Sequence, residues 1–299
     1  MEERRELFDR DFLRKLEYLS FISRRIYRGD TRGAHPSPRR GTSLDFADYR
    51  VYQAGDDFRA IDWSIFGRLG RLFVRMYAEE EDLTVHLLLD ASGSMSYGSP
   101  PKIDYARRLA AALGYVGIGS LDRVGITTFA AGLGGSLAPR RGRAQLFHLL
   151  SYMSGIRAGG RTDISRSLED YALRSRSPGL AIVISDLLDE SLDSYRRGLR
   201  ALLFHDFEVV LVHVLDRQEI SPQGEGALRL TDMETGAALP VSVDRPLLAA
   251  YRRRVNGFFD GVEAFCLKHR VEYLRAGTIV PFEEVVLKYL RQGAHLHSR

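Results

Sequence analysis

The chain has 299 residues, 44% of them hydrophobic and 27% charged, with a formal net charge of +4 and one cysteine. That supplies a sizeable core for one large domain or two small ones. It excludes an intramolecular disulfide and any cysteine-built metal site, and no apolar run approaches the roughly 20 residues needed to span a bilayer.

The opening residues carry charges of both signs without an apolar centre, so no signal peptide is expected and the protein is expected to be cytoplasmic. Arginines and lysines are scattered, as in Arg140, Arg141 and Arg143, rather than gathered in a tract. Without aromatic interleaving they read as solvated faces, not as a nucleic-acid surface.

Residues 6–26 place Leu7, Phe8, Phe12, Leu13, Leu16, Leu19 and Ile22 at helical spacing. The stretch 28–43, rich in Gly, Pro and Ser, reads as a loop. In the segment that follows, Gly55-Asp56-Asp57 reads as a turn and helix start, and Arg71 to Tyr77 alternates like a strand. The acidic run Glu79-Glu80-Glu81-Asp82 reads as a solvated strand exit.

From residue 83 apolar runs of strand length (83–89, 123–129, 180–185, 207–215) alternate with helical patterns (102–120, 144–153, 164–175, 194–204). Such near-continuous Val/Ile/Leu runs predict an α/β fold with a mostly parallel sheet covered by helices on both faces. Residues 226–243 predict a hairpin around Glu234-Thr235-Gly236, inserted at the sheet's edge. A helix (247–269), a strand (271–276) and a last helix (281–292) complete the pattern. The expected division is an N-terminal part, 1–82, packing on a main domain, 83–292, with a tail at 293–299.

Polar residues fall where the strands end. Asp90, Ser92 and Ser94 follow the first strand of the alternating region, and Asp186 follows the run at 180–185. Thr162 and Asp163 lie in the glycine-rich loop "GGRTDIS" ahead of a helix. Ligands of open α/β sheets bind beyond the carboxyl ends of the strands. Carboxylates and hydroxyls are hard donors, suited to Mg²⁺ or Mn²⁺. In the D-x-S-x-S spacing alternate side chains of a tight turn face one way, and Gly93 lets the backbone bend closely. Taken singly, each of these residues reads better as a helix cap; taken together they read as a metal site.

This combination resembles the metal-ion-dependent adhesion site of von Willebrand factor A-like domains. The resemblance maps that site onto Asp90, Ser92, Ser94, Thr162 and Asp186 and covers about residues 83–292. The preceding block, with Tyr52, Gly55, Asp56, Arg59, Ile61, Asp62 and Trp63 in a Y-x-x-G-D-x-x-R-x-I-D-W pattern, resembles the bacterial proteins grouped as domain-of-unknown-function 58. Many of those carry N-terminal membrane helices, whereas no such helix is read here. The family resemblance implies a MoxR-type AAA+ ATPase as partner. Within the block, Trp63 is expected to be a packing anchor. Asp56, Asp57, Arg59 and Asp62 are expected to form ion pairs joining the segment to the main domain.

Two function classes follow. A non-enzymatic, metal-dependent protein-interaction module needs only a cation with an exchangeable position, which a partner's acidic residue completes. The alternative, a metal-dependent phosphoesterase, also needs a nucleophile or base. No histidine lies within a few residues of the cluster, and His86, His148 and His213 fall inside predicted strands or helices. "ASGSM" is no nucleophile elbow, "GLGGS" (132–136) is no phosphate loop, and His295 and His297 read as a frayed tail. The non-enzymatic reading is therefore the expectation.

Overall fold

The structure, a computed structural model, describes residues 7–29, 46–53, 55–77, 83–189, 191–222, 224 and 226–296. The acidic run at 79–82, most of the polar stretch 28–43 and His297 lie outside them. The chain divides into two units, Met1–Tyr27 with Leu83–His297, and Arg28–Asp82.

Helix α1 (Arg10–Gly29) therefore groups with the α/β unit, not with the rest of the N-terminal part. Its apolar stripe explains this, since Phe12, Leu16 and Leu19 are buried in the cluster that also holds residues of the later helices. The Phe12 ring lies 5.1 Å from that of Phe282, and Lys15 pairs with Glu283 at 2.7 Å.

The second unit pairs β1 (Phe46–Val51) antiparallel with β2 (Phe73–Tyr77) and carries helix α2 (Trp63–Leu69) between them. Asp56, Asp57 and Asp62 each have a partner within the segment. Asp56 pairs with Arg50 at 2.7 Å, and Asp57 caps a 3₁₀ turn at Phe58–Ala60. Asp62 caps α2 through Ser64 N and Ile65 N and accepts the Tyr49 hydroxyl at 2.9 Å. Trp63 corrects its expectation. It is 62% exposed, because it begins the helix just after the cap and turns outward, edge-on to Phe66.

The main unit continues with β3 (Thr84–Asp90), α3 (Lys102–Gly119), β4 (Arg123–Phe129), β5 (Leu133–Arg140) and α4 (Arg143–Gly155). Then come α5 (Ile164–Arg174), β6 (Leu180–Ser185), α6 (Ser194–Phe204), β7 (Glu208–Leu215) and the single turn α7 (Arg217–Ile220). Strands β8 (Gly226–Thr231) and β9 (Ala238–Val243), helix α8 (Arg245–His269), β10 (Glu272–Gly277) and α9 (Phe282–Leu296) complete it. The sheet order is β10-β7-β6-β3-β4-β5, parallel except for β5, which runs antiparallel to β4. The expected α/β architecture, a mostly parallel sheet with helices on both faces, is what the chain adopts.

Alternation along the strands divides the core. Leu87, Leu89, Ile182, Ile184, Val210 and Val212 join the cluster containing α1, α3 and α9 residues. Leu88, Ala181, Val183, Val209 and Leu211 join the cluster of α5, α6 and α8. Burying each such side chain contributes about 1.5–3 kcal/mol, and both faces are filled, which is why these strands lack a polar face. The chain leaves β3 through α3 on one face and β6 through α6 on the other. These adjacent strands therefore meet at a topological switch point.

Two elements differ from expectation. The sequence "LGGSLAPR" forms the exposed edge strand β5, whose glycines and proline hide it from a hydrophobic pattern. The hairpin β8–β9 forms a two-stranded sheet of its own and does not extend the main one.

Candidate metal centre

Asp90 ends β3 and Asp186 directly follows β6, so parallel pairing brings both carboxylates to the same edge at the switch point. Asp90 is fully buried. Its Oδ1 accepts from Ser92 N at 2.9 Å and its Oδ2 from the Ser185 hydroxyl at 2.6 Å. Burial, reinforced by the charge of Asp186, pushes its carboxyl up to about 7. Ser92 and Ser94 lie 3.1 Å apart, hydroxyl to hydroxyl, Ser92 just before and Ser94 within a 3₁₀ turn at Gly93–Ser96.

Hydrogen bonds draw the next loop against this turn. Gly93 N donates to Gly160 O at 2.8 Å, and Gly159 N to Ala91 O at 2.9 Å. Thr162 is thereby brought beside the turn, while its neighbour Asp163 caps α5 through Arg166 N. Thr162 donates its hydroxyl to Glu234 Oε1 and its backbone N–H to Glu234 Oε2, the latter at 3.1 Å. Glu234 comes from the tip of the β8–β9 hairpin, which thus lies at the carboxyl end of the strands. A Cβ on Gly93 would come within 2.7 Å of Met233 O and 3.1 Å of Glu234 Cα, so only glycine accommodates the tip.

A lysine adjoins the carboxylates. Lys102, wholly buried at the start of α3, donates to Asp186 Oδ2 at 2.6 Å and also to Glu219. Burial opposes its charge, but Asp186 and Glu219 outweigh that and hold its ammonium above the usual lysine value. A buried cation in the first helical turn opposes the helix dipole, which marks it as held by a partner carboxylate. Beneath Asp186, His213 uses both ring nitrogens, on Asp186 O at 3.0 Å and the Tyr273 hydroxyl at 2.8 Å. Burial lowers its imidazole to about 4.

The donor set fits a hard divalent cation. Two carboxylates share one ammonium and a third, Asp90, stands against Asp186, leaving surplus negative charge when all are ionised. Among the described residues no three histidines, cysteines or carboxylates form a metal cage. Ligands at Asp90 would thus be one or two carboxylates and the hydroxyls of Ser92, Ser94 and Thr162. Sequence reasoning missed Lys102, Ser185, Glu219 and Glu234, and the helix-start lysine was the one local signal.

The family described as "Protein of unknown function DUF58" matches residues 48–257. The chain is similar to the uncharacterized protein Rv1480 of Mycobacterium tuberculosis (strain ATCC 25618 / H37Rv), 29% identical over 270 residues, 86% of this chain and 83% of that protein. Among solved structures it is similar to the conserved hypothetical protein BatB from Bacteroides thetaiotaomicron. That likeness has a TM-score of 0.46 at 15% identity, over 73% of this chain and 100% of the other. It is also similar to an aerotolerance-related membrane protein from Bacteroides fragilis NCTC 9343, with a TM-score of 0.46 at 15% identity, over 72% and 99%. Among the described residues no helix is long and apolar enough to cross a membrane.

Proposed function

The chain belongs to the DUF58 family of proteins of unknown function, and from the geometry at the switch point we propose a non-enzymatic, metal-dependent protein-interaction module. Its recognition face is a divalent cation, Mg²⁺ or Mn²⁺, at the switch point between β3 and β6. The observation that carries this reading is the turn bearing Ser92 and Ser94 beside buried Asp90. Helix capping does not account for these hydroxyls. Ser92 makes no side-chain cap bond to the turn it precedes, and Asp163, not Thr162, caps α5.

Asp90 and Asp186 would supply charge to the ion, and Ser92, Ser94 and Thr162 neutral oxygens. Bound there, the ion supplies residual positive charge and an exchangeable position. An acidic side chain of a protein partner fills that position. The partner we propose is a MoxR-type AAA+ ATPase, with this chain acting as its adaptor in the assembly or maturation of protein complexes. The phosphoesterase alternative lacks support from His213, whose two ring nitrogens are both engaged, on Asp186 O and the Tyr273 hydroxyl.

Calorimetry with MgCl₂ and a pull-down of the ATPase with and without EDTA test the proposal. Mg²⁺ heat in the wild type and loss of the ATPase in EDTA are expected. Equal capture without metal, or no Mg²⁺ heat, would return these hydroxyls to a structural role.

A further inference from the structure

Glu234 stands at the candidate centre without belonging to the five residues assigned to it. Both its carboxylate oxygens are taken up by Thr162, one by the hydroxyl and one by the backbone N–H. The hairpin tip is built to hold it there. Asp232 Oδ1 accepts from Glu234 N at 2.8 Å and from Thr235 N at 3.0 Å, and Asp232 N donates to Ala237 O at 2.8 Å. Gly236, with φ of +73°, closes the turn. The tip backbone then rides directly on Gly93, between the two serines.

The strands behind the tip are lightly anchored. Every residue of β8 is exposed, as are most of β9, and among the described residues the pair forms no bridge to the main sheet. An isolated two-stranded hairpin is marginally stable in water, so contacts at its tip matter to its position and are cheap to exchange. A rigid turn carrying one carboxylate, docked on a candidate ligand by a displaceable arm, has the features of a tethered competitor.

We propose that Glu234 is an internal acidic ligand of the metal centre, occupying the position a partner's carboxylate takes, so that partner binding displaces the β8–β9 hairpin. This rests on the metal-dependent reading above. The partner site is thus covered in the resting protein, and an incoming acidic side chain exchanges one carboxylate for another. Tethering raises the local concentration of Glu234, which weakens the apparent affinity for any outside carboxylate without weakening the ion.

The test uses Mn²⁺ as the ion and acetate as the outside carboxylate, on the full chain. Water-proton relaxation reports how many exchangeable waters the bound Mn²⁺ keeps. Circular dichroism confirms that the Glu234→Gln and Asp232→Ala proteins remain folded. In Glu234→Gln, relaxivity per bound ion should rise as water enters the vacated position. Acetate should then lower it at a concentration at least about twofold below that needed in the wild type. Asp232→Ala, which loosens the tip but keeps the carboxylate, should move the same way by less. Intact Mn²⁺ binding with identical relaxivity and acetate curves in wild type and Glu234→Gln would overturn the proposal and leave the metal-dependent reading standing. Loss of Mn²⁺ binding in Glu234→Gln would also overturn it, making Glu234 an obligatory ligand. A wild type that binds no Mn²⁺ would remove the metal-dependent reading and this proposal with it.

Discussion

Lys102 reaches from the first turn of α3 to Asp186, beyond the end of β6, and the two side chains meet at 2.6 Å with neither exposed beyond 1%. The pair joins the two elements that flank the switch point, and Glu219 completes it from α7. Removing one member of a buried ion pair leaves an uncompensated charge, at a cost of about 3–5 kcal/mol. Lys102→Met should therefore lower the melting temperature strongly without metal. A divalent cation nearby replaces the missing positive charge, so MgCl₂ should raise the mutant's melting temperature more than the wild type's. Equal shifts in thermal melts with and without MgCl₂ would sink the idea that ammonium and ion share these carboxylates.

Asp90 and Ser92 should separate by their effect on Mg²⁺ binding. On the metal-dependent proposal, Asp90→Ala takes away a charged donor and should abolish most of the calorimetric signal. Ser92→Ala removes a neutral oxygen that water can partly replace, so its loss should be smaller. Without metal Asp90→Ala should stay folded, because relief of its buried charge beside Asp186 offsets a hydrogen-bond loss of about 1 kcal/mol. A Ser92→Ala protein weaker than Asp90→Ala would contradict this ranking.

Glu272 predicts a pH dependence. Its Oε1 is buried with no hydrogen-bond partner among the described residues, and burial pushes its carboxyl up to about 7. The folded state thus holds this proton more tightly than the unfolded chain. Its stabilising contribution is complete below the ordinary glutamate value and is lost as pH rises through about 7. Glu272 should therefore lower wild-type stability from pH 5 to 8, against the opposite slope of buried His86 and His213, both lowered to about 4, and Glu272→Gln should remove its share. Asp90 and Asp122, both raised to about 7 by burial, act in the same direction as Glu272. Denaturant titrations at both pH values measure it, and an unchanged slope in the mutant would disprove the assignment.

Leu16 tests where α1 belongs. Fully buried in the core cluster of the α/β unit, it should cost about 2–5 kcal/mol on replacement by alanine, read as a lower urea midpoint. A change under about 0.5 kcal/mol, as at a surface site, would detach the helix from that core.

The sequence by itself determined the parallel strands of the main sheet and the oxygen-rich turn. Strand β3 and its neighbours are buried on both faces, so their apolar runs are local and need no knowledge of partners. Asp90, Ser92 and Ser94 fall within five residues, close enough for spacing alone to mark one turn. Strand β5 escaped because an exposed edge rich in glycine demands no apolar residues, and Trp63 because exposure follows from which way a helix faces. Only the tertiary structure brought Lys102 to Asp186 across 84 residues, Ser185 to Asp90 across 95 and Glu234 to Thr162 across 72. Polar side chains carry no periodic signature of their partners. What Lys102 or Glu234 faces is decided by strand order and by where a hairpin lands, and neither is written in the residues that flank them.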